Sequence, residues 1–263
     1  MRSFSRWDFT LSTYAHLCDA LLESGYTVLT VAALIERGQN ENAQPLAVLR
    51  HDVDRRPFCA ERMANLEQER GISSTYYFRA RSHTFRHDII RAIAAMGHEI
   101  GYHYENLSDA RGNMDAAIEN FRHNLLKFRQ LARISTICMH GSPLSAWDNR
   151  NLWKQYAWAD FDIIGEPYFS LDYSSLLYVT DTGRQWNSQS ATNIRDRVPA
   201  TMIISPRSTH DLADLVRSKR YPRLLIQCHP ERWAHTVSEW MWSFMFDRAC
   251  NIVKRMIVRS WLR

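Results

Sequence analysis

Leu46-Ala-Val-Leu-Arg-His-Asp-Val-Asp-Arg-Arg-Pro57 is an apolar run that ends in two acids. The run reads as a β-strand broken by Arg50 and His51, and a strand's period of two aims Asp52 and Asp54 to one side. Both stand at the downstream end of the strand, where parallel α/β folds gather reactive groups. Two carboxylates that close repel unless a cation lies beside them, and a metal ion or a neighbouring arginine would relieve the repulsion. A solvated Asp pair in a loop with Arg55 and Arg56 is the plain alternative, so the segment gains meaning from its company.

Outward from this strand, apolar spacing switches between helical and extended. Leu11, Tyr14, Leu17, Cys18, Leu21 and Leu22 recur at helical intervals, and Gly25 stops them. Helices are expected over 58–70, 88–96, 114–131 and 211–217. Strands are expected over 73–78, 99–103, 134–140, 161–164, 176–180, 202–205 and 224–228. Residues 237–262 read as one or two helices and 141–200 as largely irregular. This alternation predicts an α/β fold with parallel strands, either barrel or doubly wound. No repeat or linker-like shift divides the chain, so one domain spans 1–263, with a helical lead-in at about 1–45 and a helical segment at about 237–263.

Composition narrows the class. With 45% hydrophobic and 23% charged residues the chain is neither disordered nor collagen-like, and no apolar stretch approaches the length of a spanning helix. The net charge of +5 is scattered and no nucleic-acid module is present, so nucleic-acid binding is not expected. Five cysteines without a Cys-x-x-Cys fit unpaired thiols in a reducing cytoplasm and speak against a thiolate metal site. Met1-Arg-Ser-Phe-Ser-Arg-Trp-Asp8 has no apolar core of a secretory signal, and a cytoplasmic location is expected.

Three further segments repeat the pattern of the first. Gly97-His-Glu-Ile-Gly-Tyr-His-Tyr-Glu-Asn106 brackets a strand with His98 and His103 and sets Glu105 two residues beyond. Imidazole plus carboxylate at a strand end is a ligand set for zinc and related ions, with His98 read as structural. Ile137-Cys-Met-His-Gly-Ser-Pro-Leu-Ser145 delivers His140, and Leu224-Leu-Ile-Gln-Cys-His-Pro-Glu-Arg-Trp233 delivers His229. One histidine after a strand is an ordinary loop residue. Four strands that end in His or Asp point to one shared site.

Together these motifs resemble the polysaccharide deacetylase family (NodB-homology, carbohydrate esterase family 4), over roughly residues 10 to 233. The resemblance implies a distorted (β/α)7-type barrel. It implies Asp52 as catalytic base, Asp54 and His103 as ligands of a divalent metal ion, foremost Zn2+, and His229 as general acid. Two departures stand out. The family's second His ligand falls four residues after the first, where this chain has Leu107, which cannot bind a cation; His140 is the first substitute and Glu105 the second. The family's third-motif Arg, which positions the base, has no match at His140, and Arg50, Arg55 and Arg56 stay open as replacements.

The activity so implied is hydrolytic removal of an N-acyl group, acetyl or formyl, from an amino sugar. Without a leader, a nucleotide- or lipid-linked precursor of a surface polysaccharide, as in lipopolysaccharide biosynthesis, is the expected substrate. Thr180-Asp-Thr-Gly-Arg-Gln-Trp186 offers polar and aromatic sugar contacts in Asp181, Arg184 and Trp186, joined by Arg56. The competing reading is a catalytically silent carbohydrate-binding protein that lost its ion with the second His; Asp52 and His229, useful for chemistry, argue against it. Residues 244–263 mix Trp, Met, Phe and Ile with Arg248, Lys254, Arg255, Arg259 and Arg263. Such a basic amphipathic helix either packs on the barrel or lies on an anionic membrane. The oligomeric state is not legible.

Overall fold

A computed structural model describes residue 4 and residues 7–38, 44–142, 144–187, 193, 195 and 197–261. In chain order the elements are α1 (Leu11–Glu23), β1 (Thr27–Leu29), α2 (Val31–Arg37), β2 (Leu46–Val53), α3 (Pro57–Gln68), β3 (Thr75–Phe78), α4 (His87–Ala95), β4 (Glu99–Tyr104), α5 (Asn106–Asp109), α6 (Met114–Arg129), β5 (Ile134–Met139), α7 (Pro167–Ser170), β6 (Leu177–Thr180), α8 (Thr209–Arg217), β7 (Arg223–Cys228) and α9 (Val237–Trp261). Local chemistry sets several starts: Thr10 and Thr13 form a capping box on α1, and Thr30, Asn113 and Ser208 accept from the first turns of α2, α6 and α8.

The strands pair in parallel in the order β5-β4-β3-β2-β7-β6, with β1 beside the first half of β2. The period of two sorts each strand's side chains. Leu46 and Val48 of β2 share one apolar cluster with Tyr77 of β3, Cys138 of β5, Tyr178 of β6 and Leu225 of β7. Since β5 and β6 are the two edges of the sheet, a common interior requires the sheet to curl into an open barrel. Leu171 and Tyr173 fill the gap between the edges, and Gly165 bridges Thr136 on the free edge of β5. Outward-facing Ala47, Leu49 and Val53 meet the helical layer, in which α3, α4 and α6 cover one side and α1 and α8 the other. This α/β domain has the (β/α)7-type barrel architecture expected.

Three expectations are corrected. The lead-in is not wholly helical, because β1 adds a short strand to β2. Residues 161–164 form no strand: a 3-10 turn (Trp158–Phe161) ends at Asp162 in the left-handed region (φ 53), which turns the chain before it reaches β5. Residues 202–205 find no ladder partner among the described residues; Ile203 is 59% exposed while Met202 and Ile204 lean on the core beside α1.

Candidate active site

The interior parity of β2 and β7 builds the base of the site. Arg50 and Asp52 both point inward, and Arg50 pairs in register with Gln227 of β7. Arg50 grips Asp52 with two bonds, Nε to Oδ1 at 2.9 Å and Nη2 to Oδ2 at 2.7 Å, and Gln227 Nε2 donates to the same Oδ2 at 2.6 Å. Burial alone would raise the Asp52 carboxyl; the Arg50 guanidinium, helped by His103 and His229, outweighs it and holds the group at about 2. Tyr77 and Tyr168 flank the guanidinium. Of the three arginines left open as partners of Asp52, the structure selects Arg50. Arg55 pairs with Glu231 and Asp247 instead, and Arg56 lies over Phe58 and Trp242.

Above this pair three imidazoles converge on Asp54. His103, the last inward residue of β4, donates from Nδ1 to the Cys138 carbonyl at 3.0 Å, which places Nε2 3.5 Å from Asp54 Oδ1. His140, one residue past β5, turns Nδ1 to Glu105 Oε2 at 3.1 Å and presents Nε2 to the same Asp54 oxygen at 3.5 Å. A carbonyl and a carboxylate only accept, so both ring tautomers are set by their partners. His229 Nε2 lies 3.9 Å from the other oxygen, Asp54 Oδ2. Asp54 Oδ1 is buried and has no hydrogen-bond partner among the described residues. Burial would raise its carboxyl, but His140, His103 and His229 bring it well below the usual carboxylate range.

Both imidazole nitrogens stand 3.5 Å from Asp54 Oδ1, close to the about 3.4 Å that separates neighbouring ligands of a tetrahedral ion. Pinning a ligating imidazole through its other nitrogen is the support such sites require. Glu105 is spent elsewhere: Arg79 takes both its oxygens at 2.9 and 2.7 Å, Arg81 adds a third bond at 2.6 Å, and His140 completes the set. It is therefore a support for His140, and the alternative of Glu105 as third ligand is corrected. Asp52, His103 and Cys138 also place ligand-type atoms within 4.8 Å of one another, but both Asp52 oxygens are already held by Arg50 and Gln227. His98 accepts from the Ser74 amide and reaches the Ala64 carbonyl, a packing role outside the site.

His229 is oriented by Asp181. The buried Asp181 carboxylate takes His229 Nδ1 at 2.6 Å and its backbone N–H at 2.9 Å, Arg232 Nη1 at 2.8 Å and Trp233 Nε1 at 3.0 Å. Burial and Arg232 push the imidazole pKa down; Asp181 overcomes both and raises it. This corrects the expectation that Asp181 touches substrate. Trp186 is corrected too, being 1% exposed and bonded to Thr209 in the core beside α1. Arg184 lies beneath α9, paired with Asp247 and stacked on Phe9 and Trp240. Arg56 lines a groove beside the site, not the site itself. Pro143 lies outside the described residues.

The reacting groups open into a cleft of about 390 Å³, walled on one side by Phe246, Cys250 and Asn251 of α9 and on the other by His83 and Leu144. Sequence reading missed several working residues. Gln227 sits two before His229, as Arg50 sits two before Asp52, so inward parity would have found Gln227 and singled out Arg50 among its alternatives. Arg79 and Asp247 carry no such local signal, because their partners are set by the tertiary fold.

No family model and no curated protein matches the chain. Among solved structures it is similar to a Streptococcus mutans CE4 esterase, with 13% sequence identity and a TM-score of 0.46, over 88% of this chain and 89% of that one.

Proposed function

We propose that the chain is a metal-dependent hydrolase that removes an N-acyl group, acetyl or formyl, from an amino sugar carried on a nucleotide or lipid. One observation carries the reading: a buried Asp54 oxygen without a hydrogen bond, equally far from two imidazole nitrogens whose opposite nitrogens are both pinned. Asp54, His103 and His140 would hold the cation, for which Zn2+ suits an imidazole and carboxylate set. When bound, it supplies a Lewis acid that makes water nucleophilic at neutral pH and polarises a carbonyl.

The chain's own groups supply the proton traffic. Asp52 is ionised throughout the neutral range, and Arg50 and Gln227 fix it so that it accepts a proton from the attacking water. An amide nitrogen leaves only when protonated. His229, its Nδ1–H committed to Asp181, faces the same space through Nε2 and donates that proton. Asp52 and His229 thus approach the cleft from β2 and from the end of β7, with the Asp54 cluster between them.

The test is metal content with turnover. Chelated and reloaded protein is expected to bind one Zn2+ per chain and to release acetate or formate from N-acyl amino sugars, while Asp52→Asn keeps the metal and loses turnover. An unmodified rate in Asp52→Asn removes the base assignment. Failure to bind zinc with the fold intact returns the chain to the reading of a silent sugar-binding protein.

A further inference from the structure

We propose that the outer face of α9 docks on an anionic membrane surface and so brings the cleft to a lipid-linked saccharide; the docking stands on its own observations, and the substrate class rests on the deacylation reading above.

The helix has two opposed faces. Its inner side is bolted to the barrel mouth by polar contacts: Asp247 to Arg55 at 3.0 Å, Ser243 to the Glu231 carbonyl at 3.1 Å and Asn251 to the Gly183 carbonyl at 3.0 Å. Its outer side is apolar and open to solvent, with Met241, Trp242, Met245, Ile252, Val253 and Met256 between 46% and 66% exposed. Met245, Ile252 and Met256 lie within about 20° of one line on a helix of 3.6 residues per turn, and 241–256 spans about 22 Å. Isolated exposed apolar residues are ordinary, whereas a continuous stripe marks a contact surface.

Charge selects the occupant. From 240 to 256 Asp247 is the one acid, and it is buried on the inner side, whereas Arg248 and Arg255 flank the apolar stripe. The sequence continues the basic series with Arg259 and Arg263. Apolar stripe plus cationic flank is the pattern of a helix that lies in the plane of an anionic interface. No helix among the described residues is long and apolar enough to cross a membrane.

The route to the site agrees. The catalytic cleft shares Arg55 and His83 with a neighbouring groove of about 650 Å³, which also holds Arg56, Arg86 and Trp242 beside Glu61 and Asp88. Reaction centre, polar groove and apolar helix face therefore follow one another in space. A sugar joined through a polar linkage to a hydrocarbon chain would follow the same course from cleft to groove to helix face.

Co-sedimentation of the full chain with vesicles tests this. The protein is expected to pellet with phosphatidylcholine vesicles containing phosphatidylglycerol and to stay in solution with phosphatidylcholine alone. Added salt and Arg248→Gln or Arg255→Gln weaken the association, each arginine by about fivefold. Met245→Glu with Met256→Glu is expected to abolish it, with the melting temperature and the turnover of soluble N-acetylglucosamine phosphate unchanged. Equal pelleting with neutral vesicles, or none with anionic ones, overturns the proposal. A solution dimer that the same double variant makes monomeric overturns it as well, because a second copy then covers the face. Turnover without vesicle binding sinks docking alone; vesicle binding without turnover of any N-acyl sugar sinks the reaction alone.

Discussion

Asp181→Asn separates the acid of the site from its support. Four buried donors end on this carboxylate: His229 Nδ1 and Arg232 Nη1 on Oδ1, and the His229 amide and Trp233 Nε1 on Oδ2. An asparagine keeps the shape but offers one acceptor oxygen, so whichever way the amide turns, two donors face an NH2 group. At about 1–3 kcal/mol for each buried group left unsatisfied, the cost is about 2–6 kcal/mol. That is a large share of a typical 5–15 kcal/mol stability, yet compatible with folding, and lowers the melting temperature by on the order of 10 °C. For His229 the loss is sharper. Burial and Arg232 are then opposed by Asp54 alone, and the imidazole's hold on the proton it must deliver weakens. General acid catalysis contributes about 10²–10⁴ in rate, and a loss of that order in kcat is expected. The assay is a double-mutant cycle of melting temperature and kcat with His229→Ala. On the His229→Ala background, Asp181→Asn should still cost stability, through Arg232 and Trp233, but should cost no further rate. A full additional rate loss on that background, or near-normal turnover in the single variant, refutes the assignment of Asp181 as the group acting through His229.

Asp54→Asn should release the metal while circular dichroism stays unchanged, read as zinc per chain by elemental analysis; a variant that retains stoichiometric zinc moves the site to Asp52, His103 and Cys138. Gly101→Ala should destabilise the barrel, since a Cβ there would run into the buried Tyr77 ring and come 3.1 Å from the Thr136 carbonyl; overpacking of this kind costs about 1–3 kcal/mol or more, measurable by urea unfolding. Glu67 gives a pH signature. Wholly buried, it is nonetheless held at about 2, against an ordinary 4.5, because His51, His98 and Ser74 outweigh its burial. Its folded pKa is depressed, so its contribution is complete above pH 4.5 and is lost as the pH falls towards 2. At 1.36 kcal/mol per pKa unit that is about 3 kcal/mol, and Glu67→Gln should flatten this part of the stability-against-pH curve.

Strands whose face alternates beneath a continuous helical layer write themselves into sequence, which is why the spacing around Leu46–Val53 marks β2 and the glycines after α1, α3 and α4 mark helix ends. Strand order leaves no such trace. That β7 returns to lie beside β2, and so brings His229 over Asp54, depends on contacts far apart in the chain. The loop after β6 shows the same limit from the other side. Asp181 and Trp186 look like sugar contacts, because polar and aromatic residues after a strand have one appearance whether they face solvent or the core. Burial decides between them, and burial of a loop is a tertiary property.

The chemistry proposed here needs both a nitrogen beside Asp54 and a positive charge beside Asp52, and the chain supplies them from different strands. Leu107, four residues past His103, is seated in the core between the sheet and α6 and offers no ligand. The metal site proposed above takes its second nitrogen from the end of β5, the next strand along. His140 stands there, held by Glu105, which Arg79 and Arg81 in turn keep ionised. Placing a histidine at that strand end leaves Asp52 without a cation from the same direction, and a buried carboxylate without one would take up a proton and cease to be a base. Arg50, rising from within β2 itself, meets the need from below. Neither group alone would support the chemistry proposed here; together they put a nitrogen beside Asp54 and a positive charge beside Asp52.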